Sequence, residues 1–204
     1  MVSHELELKN IAIVTVVLSV ILSIFLMLVL DVSPKYLYLK VGLVTTCLTI
    51  FWYVYDKYLW KIGAFRLNGW LCSTPDGSGR WEGCLDRDGE GCPHKFVVEI
   101  YQTMTTIKLY TYSSRSKGES ISVKFTKDQL GGKYKLITYW RTNAGALSEN
   151  QPHKNQFHGL SEFDIILNKG SKQLDGIYFT NRNPATKGST NLTWKGSDPI
   201  GKFE

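Results

Sequence analysis

Two hydrophobic patterns divide this chain. From Ile11 to Leu30 the sequence IAIVTVVLSVILSIFLMLVL carries no charge, no Gly and no Pro, and Thr15, Ser19 and Ser23 are its mild polar breaks. At about 1.5 Å of rise per residue such a run makes a helix of roughly 30 Å, the thickness of a bilayer's hydrocarbon core. It predicts a transmembrane helix over 11–30. The apolar core is too long for a secretory signal, and no small-x-small cleavage site follows it. Asp31 and the Ser33–Pro34 pair then stop the helix and turn the chain. A second apolar run, Val41 to Tyr55, is prolonged by Tyr36–Leu39 and by Tyr58–Trp60. Aromatic side chains gather at both of its ends, as they do at lipid–water interfaces. It predicts a second helix over about 38–60.

From Trp70 the period falls to two. Ile121, Val123 and Phe125 alternate with Ser120, Ser122 and Lys124, and Leu136, Thr138 and Trp140 fall at every second position. Such alternation marks half-buried strands. It predicts eight of them, Ser78–Arg87, His94–Tyr101, Met104–Ser113, Gly118–Lys127, Lys133–Thr142, Gln156–Leu167, Gln173–Thr180 and Ser189–Trp194. Turn-like breaks such as 88–91, Gly131–Gly132, 168–171 and Asn183–Pro184 separate them. Short strands and tight turns predict an all-β antiparallel up-and-down barrel, whose closure removes exposed edges and can enclose one small ligand. A two-sheet sandwich is the alternative. The chain thus reads as a two-helix transmembrane hairpin over 1–65 and a β-barrel ligand-sensing domain over 66–204. Its longest connection, Asn143–Asn155, is polar and is a candidate lid.

Charge adds an orientation. Lys9, Lys57, Lys61 and Arg66 flank one side of the hairpin, whereas Lys35 and Lys40 flank its loop, so both termini are expected in the cytoplasm. Cys72, Cys84 and Cys92 are an odd number in the soluble part, which points to unpaired thiols in a reducing compartment. The whole chain carries a formal net charge of +6, of which +5 falls from residue 66 onward. That excess suits a small anionic ligand or anionic lipid heads, and is too thin for a protein that wraps DNA or RNA.

The chemistry points to binding rather than catalysis. No Gly-rich phosphate loop, G-x-S-x-G or HExxH motif is present, and the chain has four His. Cys84, Cys92 and His94 lack a fourth ligand, so no metal and no cofactor is expected. Glu162 and Asp164 pair on one strand face without a nucleophile nearby. The chain reads as a non-enzyme.

Gly79-Arg80-Trp81 opens the first strand, and Gly-x-Trp at such a place resembles the lipocalin and fatty-acid-binding barrels, in which the Trp closes the floor. It is followed in order by Gln102-Thr103-Met104-Thr105, Ser113-Ser114-Arg115-Ser116, Leu136-x-x-Tyr139, His158-Gly159, Leu174-x-Gly176-x-Tyr178-Phe179-x-x-Arg182 and Lys187-Gly188-Ser189-Thr190. After a two-helix hairpin, that series resembles the CBASS (CD-NTase-associated) membrane effectors, with two transmembrane helices and a β-barrel cyclic-nucleotide sensor domain.

The resemblance implies an antiphage defence effector of the bacterial inner membrane. A CD-NTase synthase makes a cyclic dinucleotide, the barrel binds it, and the effector forms a homo-oligomer, disrupts the lipid bilayer and causes abortive infection. Such a ligand needs cationic or hydroxyl donors for its phosphates and aromatic faces for its bases. Arg141, Arg182, Thr103, Thr105 and Ser113 are candidates for the first role, Tyr110, Tyr112, Tyr139 and Tyr178 for the second, with His158 beside them. Each Tyr can equally be a wall residue, and Arg182 can instead stack on Trp81 as a late Arg does in lipocalin-like barrels. The competing function is a membrane-tethered lipocalin-like carrier of lipid or another small ligand, which would want a dry, apolar interior.

Overall fold

In the computed structural model, the described residues are 2–30, 37–87, 89, 91, 94–114, 116–127, 134–144, 156–168 and 171–203. They fall into two compact units, one of Met1–Thr74 with Thr103–Thr105, the other of Pro75–Gln102 with Thr106–Glu204. Most of the 143–155 connection, the candidate lid, lies outside the described residues.

The first unit holds two long helices, α1 (Val2–Leu30) and α2 (Leu37–Lys57), followed by short 3-10 turns at Leu59–Lys61 and Gly63–Gly69. Glu7–Leu28 and Tyr38–Lys57 are long and apolar enough to cross a membrane. α1 starts well before the apolar run, because Val2–Asn10 contains good helix formers and no Pro or Gly to stop it. α2 ends sooner than the aromatic tail suggests, so Trp60 lies in a 3-10 turn rather than in the span. Val16, Val20, Ile24 and Leu28 are each more than half exposed, as lipid-facing side chains are.

Polar contacts tie the unit together. Trp52 Nε1 donates to Thr15 Oγ1 at 3.1 Å and links the two helices, while Thr45, Thr46 and Thr49 bond back to carbonyls of their own helix. At the end of α2, Tyr55 packs with Trp60, Leu71 and Cys72 into a small core, and the Arg66 guanidinium donates to the carbonyls of Cys72 and Thr74. Asp56 Oδ1 accepts hydrogen bonds from Thr105 N and Oγ1.

The second unit is a closed barrel of eight antiparallel strands, each paired with its neighbour in sequence. They are β1 (Gly79–Arg87), β2 (His94–Gln102), β3 (Ile107–Ser113), β4 (Ser116–Lys127), β5 (Tyr134–Ala144), β6 (Gln156–Asn168), β7 (Ser171–Thr180) and β8 (Lys187–Gly196). The alternation therefore identifies every strand within a few residues, and the barrel rather than the sandwich is formed. Alternate side chains at one end of the barrel, including Trp81, Val98, Ile100, Leu109, Leu136, Phe163, Leu174 and Leu192, pack into a solid apolar floor. Trp81 Nε1 donates to Gly77 O, and Gln102 bridges Gly77 N and Pro75 O, so the floor is also hydrogen-bonded shut.

The cysteines correct one expectation. Cys84 is disulfide-bonded, whereas Cys47 and Cys72 are free. An odd count permits one bridge and one leftover thiol, and Cys72 is the leftover. By the same reasoning a bridge in the barrel unit argues against a reducing compartment, which leaves the Lys/Arg asymmetry as the one feature in favour of cytoplasmic termini.

Candidate functional site

Above the floor the barrel stays open. Continuing each strand by steps of two away from its floor residue gives the wall of the space above it: Leu109 leads to Thr111 and Ser113, Leu136 to Thr138, Trp140 and Thr142, and Phe163 to Ser161 and then Phe157. On β7 and β8 the same count reaches Tyr178, Thr180 and Arg182, and Thr190 and Thr186. Together with Arg87, His94 and Lys95 they enclose a cavity of about 460 Å³. Small-ligand sites commonly run from about 300 to 1,000 Å³.

Three glycines set the rings of this wall. Trp140 pairs across the ladder with Gly159, Phe163 with Gly176, and Tyr178 with Gly188. A Cβ at Gly159 would stand 2.2 Å from the Trp140 ring, and one at Gly176 2.4 Å from Phe163. Each ring therefore lies over the bare backbone of the next strand, where only glycine leaves it room. Trp140 is pinned further by a 2.8 Å hydrogen bond from Nε1 to Ser161 Oγ.

The electrostatics of the cavity are one-sided. Its lining carries Arg87, Arg182, Lys95 and His94, and no carboxylate among the described residues. The Arg182 guanidinium sits 3.6 Å from the centre of the Phe157 ring, a cation–π contact. Burial first, and then the charge of Arg87, pull its pKa below the ordinary arginine value. Among the described residues the two guanidiniums thus face each other's field with no acid paired to either. Deeper in, Thr138 Oγ1 and Thr190 Oγ1 are buried with no hydrogen-bond partner among the described residues, as is Arg87 Nε nearer the mouth. Buried polar atoms left without partners cost about 1–3 kcal/mol each, so these three positions are where the lining has hydrogen-bonding capacity to spare.

Of the candidate residues read from sequence, Ser113, Tyr178 and Arg182 line the cavity. Thr103 and Thr105 belong to the first unit, where Thr105 is bound to Asp56. Tyr110, Tyr112, Tyr139, Arg141 and His158 occupy the opposite parity, outside the lining. There Tyr139 stacks on His158 with ring centroids 5.5 Å apart, and Arg141 pairs with Glu119. Tyr112 lies close to the fully buried Glu99, and burial with that negative neighbour pushes its hydroxyl up to about 12. Arg182 meets Phe157 rather than Trp81, which is committed to the floor. Sequence reasoning missed Arg87, Thr138, Trp140, Phe157 and Thr190. Counting by twos from the apolar floor residues would have found them.

The chain was compared with known proteins. The family model described as Cap15, cyclic dinucleotide receptor domain, matches residues 72–194, which includes every strand except the last two residues of β8. No curated protein matches the chain.

Proposed function

Since the chain belongs to the Cap15 cyclic dinucleotide receptor family of CBASS effectors, we propose that the barrel cavity holds the messenger and that its capture makes copies associate and disrupt the bilayer. The observation that carries the site is the carboxylate-free lining, with Arg87 and Arg182 near the mouth and the unpartnered hydroxyls of Thr138 and Thr190 within. The two guanidiniums meet the phosphates through charge-assisted hydrogen bonds. Trp140, Phe157 and Tyr178 offer faces to the bases, and the buried hydroxyls read their polar edges. The protein works as a receptor and not as an enzyme.

Two helices are too few to enclose a pore, so one copy does not breach a bilayer by itself. Association is the step a ligand can drive, to the extent that it binds the associated state more tightly. Clustered hairpins would then disturb the bacterial inner membrane and abort infection, with both termini in the cytoplasm where the messenger is made. The lipid-carrier reading fits less well, because the open part of the barrel sets hydroxyls and cations among its aromatic rings, and an apolar ligand would leave them unpaired.

The test is dye release from liposomes carrying the full chain, with cyclic dinucleotides added singly. Release should require one of them and rise steeply with protein density. Release without nucleotide, or from protein that stays monomeric, refutes the mechanism.

A further inference from the structure

The outer side of the ligand wall carries a band of exposed apolar side chains. Tyr139 on β5 stands directly opposite Leu160 on β6, and Leu160 opposite Phe179 on β7. Ile177 lies in the next row of β7, and Ile121 occupies the bulge of β4 beside Tyr139. These five are between 43% and 54% exposed. With strands about 4.8 Å apart, the band spans roughly 15 Å of the barrel wall.

We propose that this face of β4–β7 is where a second copy of the chain docks. At about 150–250 Å² for a large side chain, half-exposed side chains of this kind supply on the order of 400 Å² of apolar surface. That reaches the size at which a patch on a monomer marks an interaction site. A stable complex covers about 800 Å² per partner, so the band is half of what a lasting dimer needs. It suits copies that are concentrated by a shared membrane and separate when free.

The rim selects the occupant. On one flank Arg141 pairs with Glu119, and on the other Lys135 pairs with Glu162 and reaches Asp164 at 3.9 Å. Charges of both signs around an apolar centre suit an identical face turned upon it, in which each patch meets itself. With Lys187 across from Phe179 and Lys124 across from Ile137, the rim sets four cations against three carboxylates, a near balance that gives an anionic bilayer little net attraction.

The band is also one residue from the cavity. Trp140 and Phe157 face inward, and their chain neighbours Tyr139 and His158 are the stacked pair outside. His158 exchanges two hydrogen bonds with Asn181, the residue before Arg182. A nucleotide that shifts Trp140 or Arg182 therefore moves the docking face. This link to the messenger rests on the proposed function, whereas the face itself can be tested without it.

The experiment is photo-crosslinking of the full chain carrying Ile177→benzoylphenylalanine, in phosphatidylethanolamine–phosphatidylglycerol vesicles at rising protein density. It is run alone and with each 3′,3′-cyclic dinucleotide built from A, G, C and U. A crosslinked dimer should appear as density rises and increase at least fivefold with the nucleotide that binds. Leu160→Asp or Phe179→Asp should cut its yield more than tenfold while nucleotide affinity stays within twofold. Should Leu160→Asp lower the melting temperature, Ile121→Lys in the exposed bulge reads the same face. Adducts to lipid instead of protein, a yield that ignores these substitutions, or no dimer at any density overturns the proposal. A density-driven dimer that Leu160→Asp abolishes, with no nucleotide bound, upholds the face and removes the ligand reading.

Discussion

Replacing Arg182 by Ala separates the two things its guanidinium does. In the free protein it rests on Phe157 at 3.6 Å, a contact worth about 0.5–2 kcal/mol. Against that stand its burial and the like charge of Arg87, which together depress its pKa. These contributions oppose one another, so the free barrel should lose little when Arg182 goes. For a domain of this size about 1 kcal/mol moves Tm by roughly 3–6 °C, and a change of no more than about 3 °C is expected. The bound state differs, because a phosphate would neutralise the guanidinium through a charge-assisted hydrogen bond worth about 1.5–3 kcal/mol. Affinity should then fall by roughly 10- to 150-fold. Arg182→Lys should recover part of it, since an ammonium keeps the charge but loses the planar fork. Differential scanning fluorimetry and calorimetric titration on one preparation give both numbers. A variant that melts many degrees lower yet binds as tightly per folded molecule refutes the assignment and leaves Arg182 as a structural stack.

Three further expectations follow from the same geometry. Thr138→Val removes a buried hydroxyl without a partner among the described residues, so it should raise Tm by a few degrees and weaken nucleotide binding, both measurable in the same assays. Glu99→Ala should lower Tm by several degrees, because the buried Arg80 loses the carboxylate it meets at 2.8 Å and keeps only Glu82 and the Lys202 carbonyl among the described residues. Glu99 also accepts the amides of Ile200 and Gly201, so limited proteolysis should become faster there while binding is unchanged. The Tyr112 hydroxyl titrates near 10 when unfolded and near 12 when folded, so its contribution is complete below pH 10 and is lost as the pH rises through 12. Urea titrations from pH 9 to 12 should show a steeper alkaline loss of stability in the native protein than in Tyr112→Phe.

The strands were legible because their alternation is a local property, and the helix long and apolar enough to cross a membrane because its length and lack of charge are. Which face of each strand looks inward was harder. The tyrosines drew attention as rings with polar tips, yet Tyr110 and Tyr112 flank the inward Thr111, and Tyr139 precedes the inward Trp140. Choosing between adjacent residues requires the register, and one residue of slip exchanges the two faces. Bulges between Ser120 and Ser122 and between Arg80 and Trp81 shift that register and leave no mark in the alternation. The glycines under Trp140, Phe163 and Tyr178 are legible only once strand partners are known. Arg87 falls inward by the same count of two from Trp81, but its nearness to Arg182 is made across residues far apart in sequence and leaves no local mark.

Whether a cyclic dinucleotide lies inside the barrel can be read by photo-labelling with an azido-base analogue. With the full chain in vesicles and the adducts mapped by mass spectrometry, label should enter Trp140, Phe157 or Tyr178, be suppressed by excess unmodified nucleotide and be lost in Arg87→Ala/Arg182→Ala. Specific labelling of Tyr110, Tyr139 or His158 on the outer wall, with those three cavity rings untouched, would contradict binding inside the barrel.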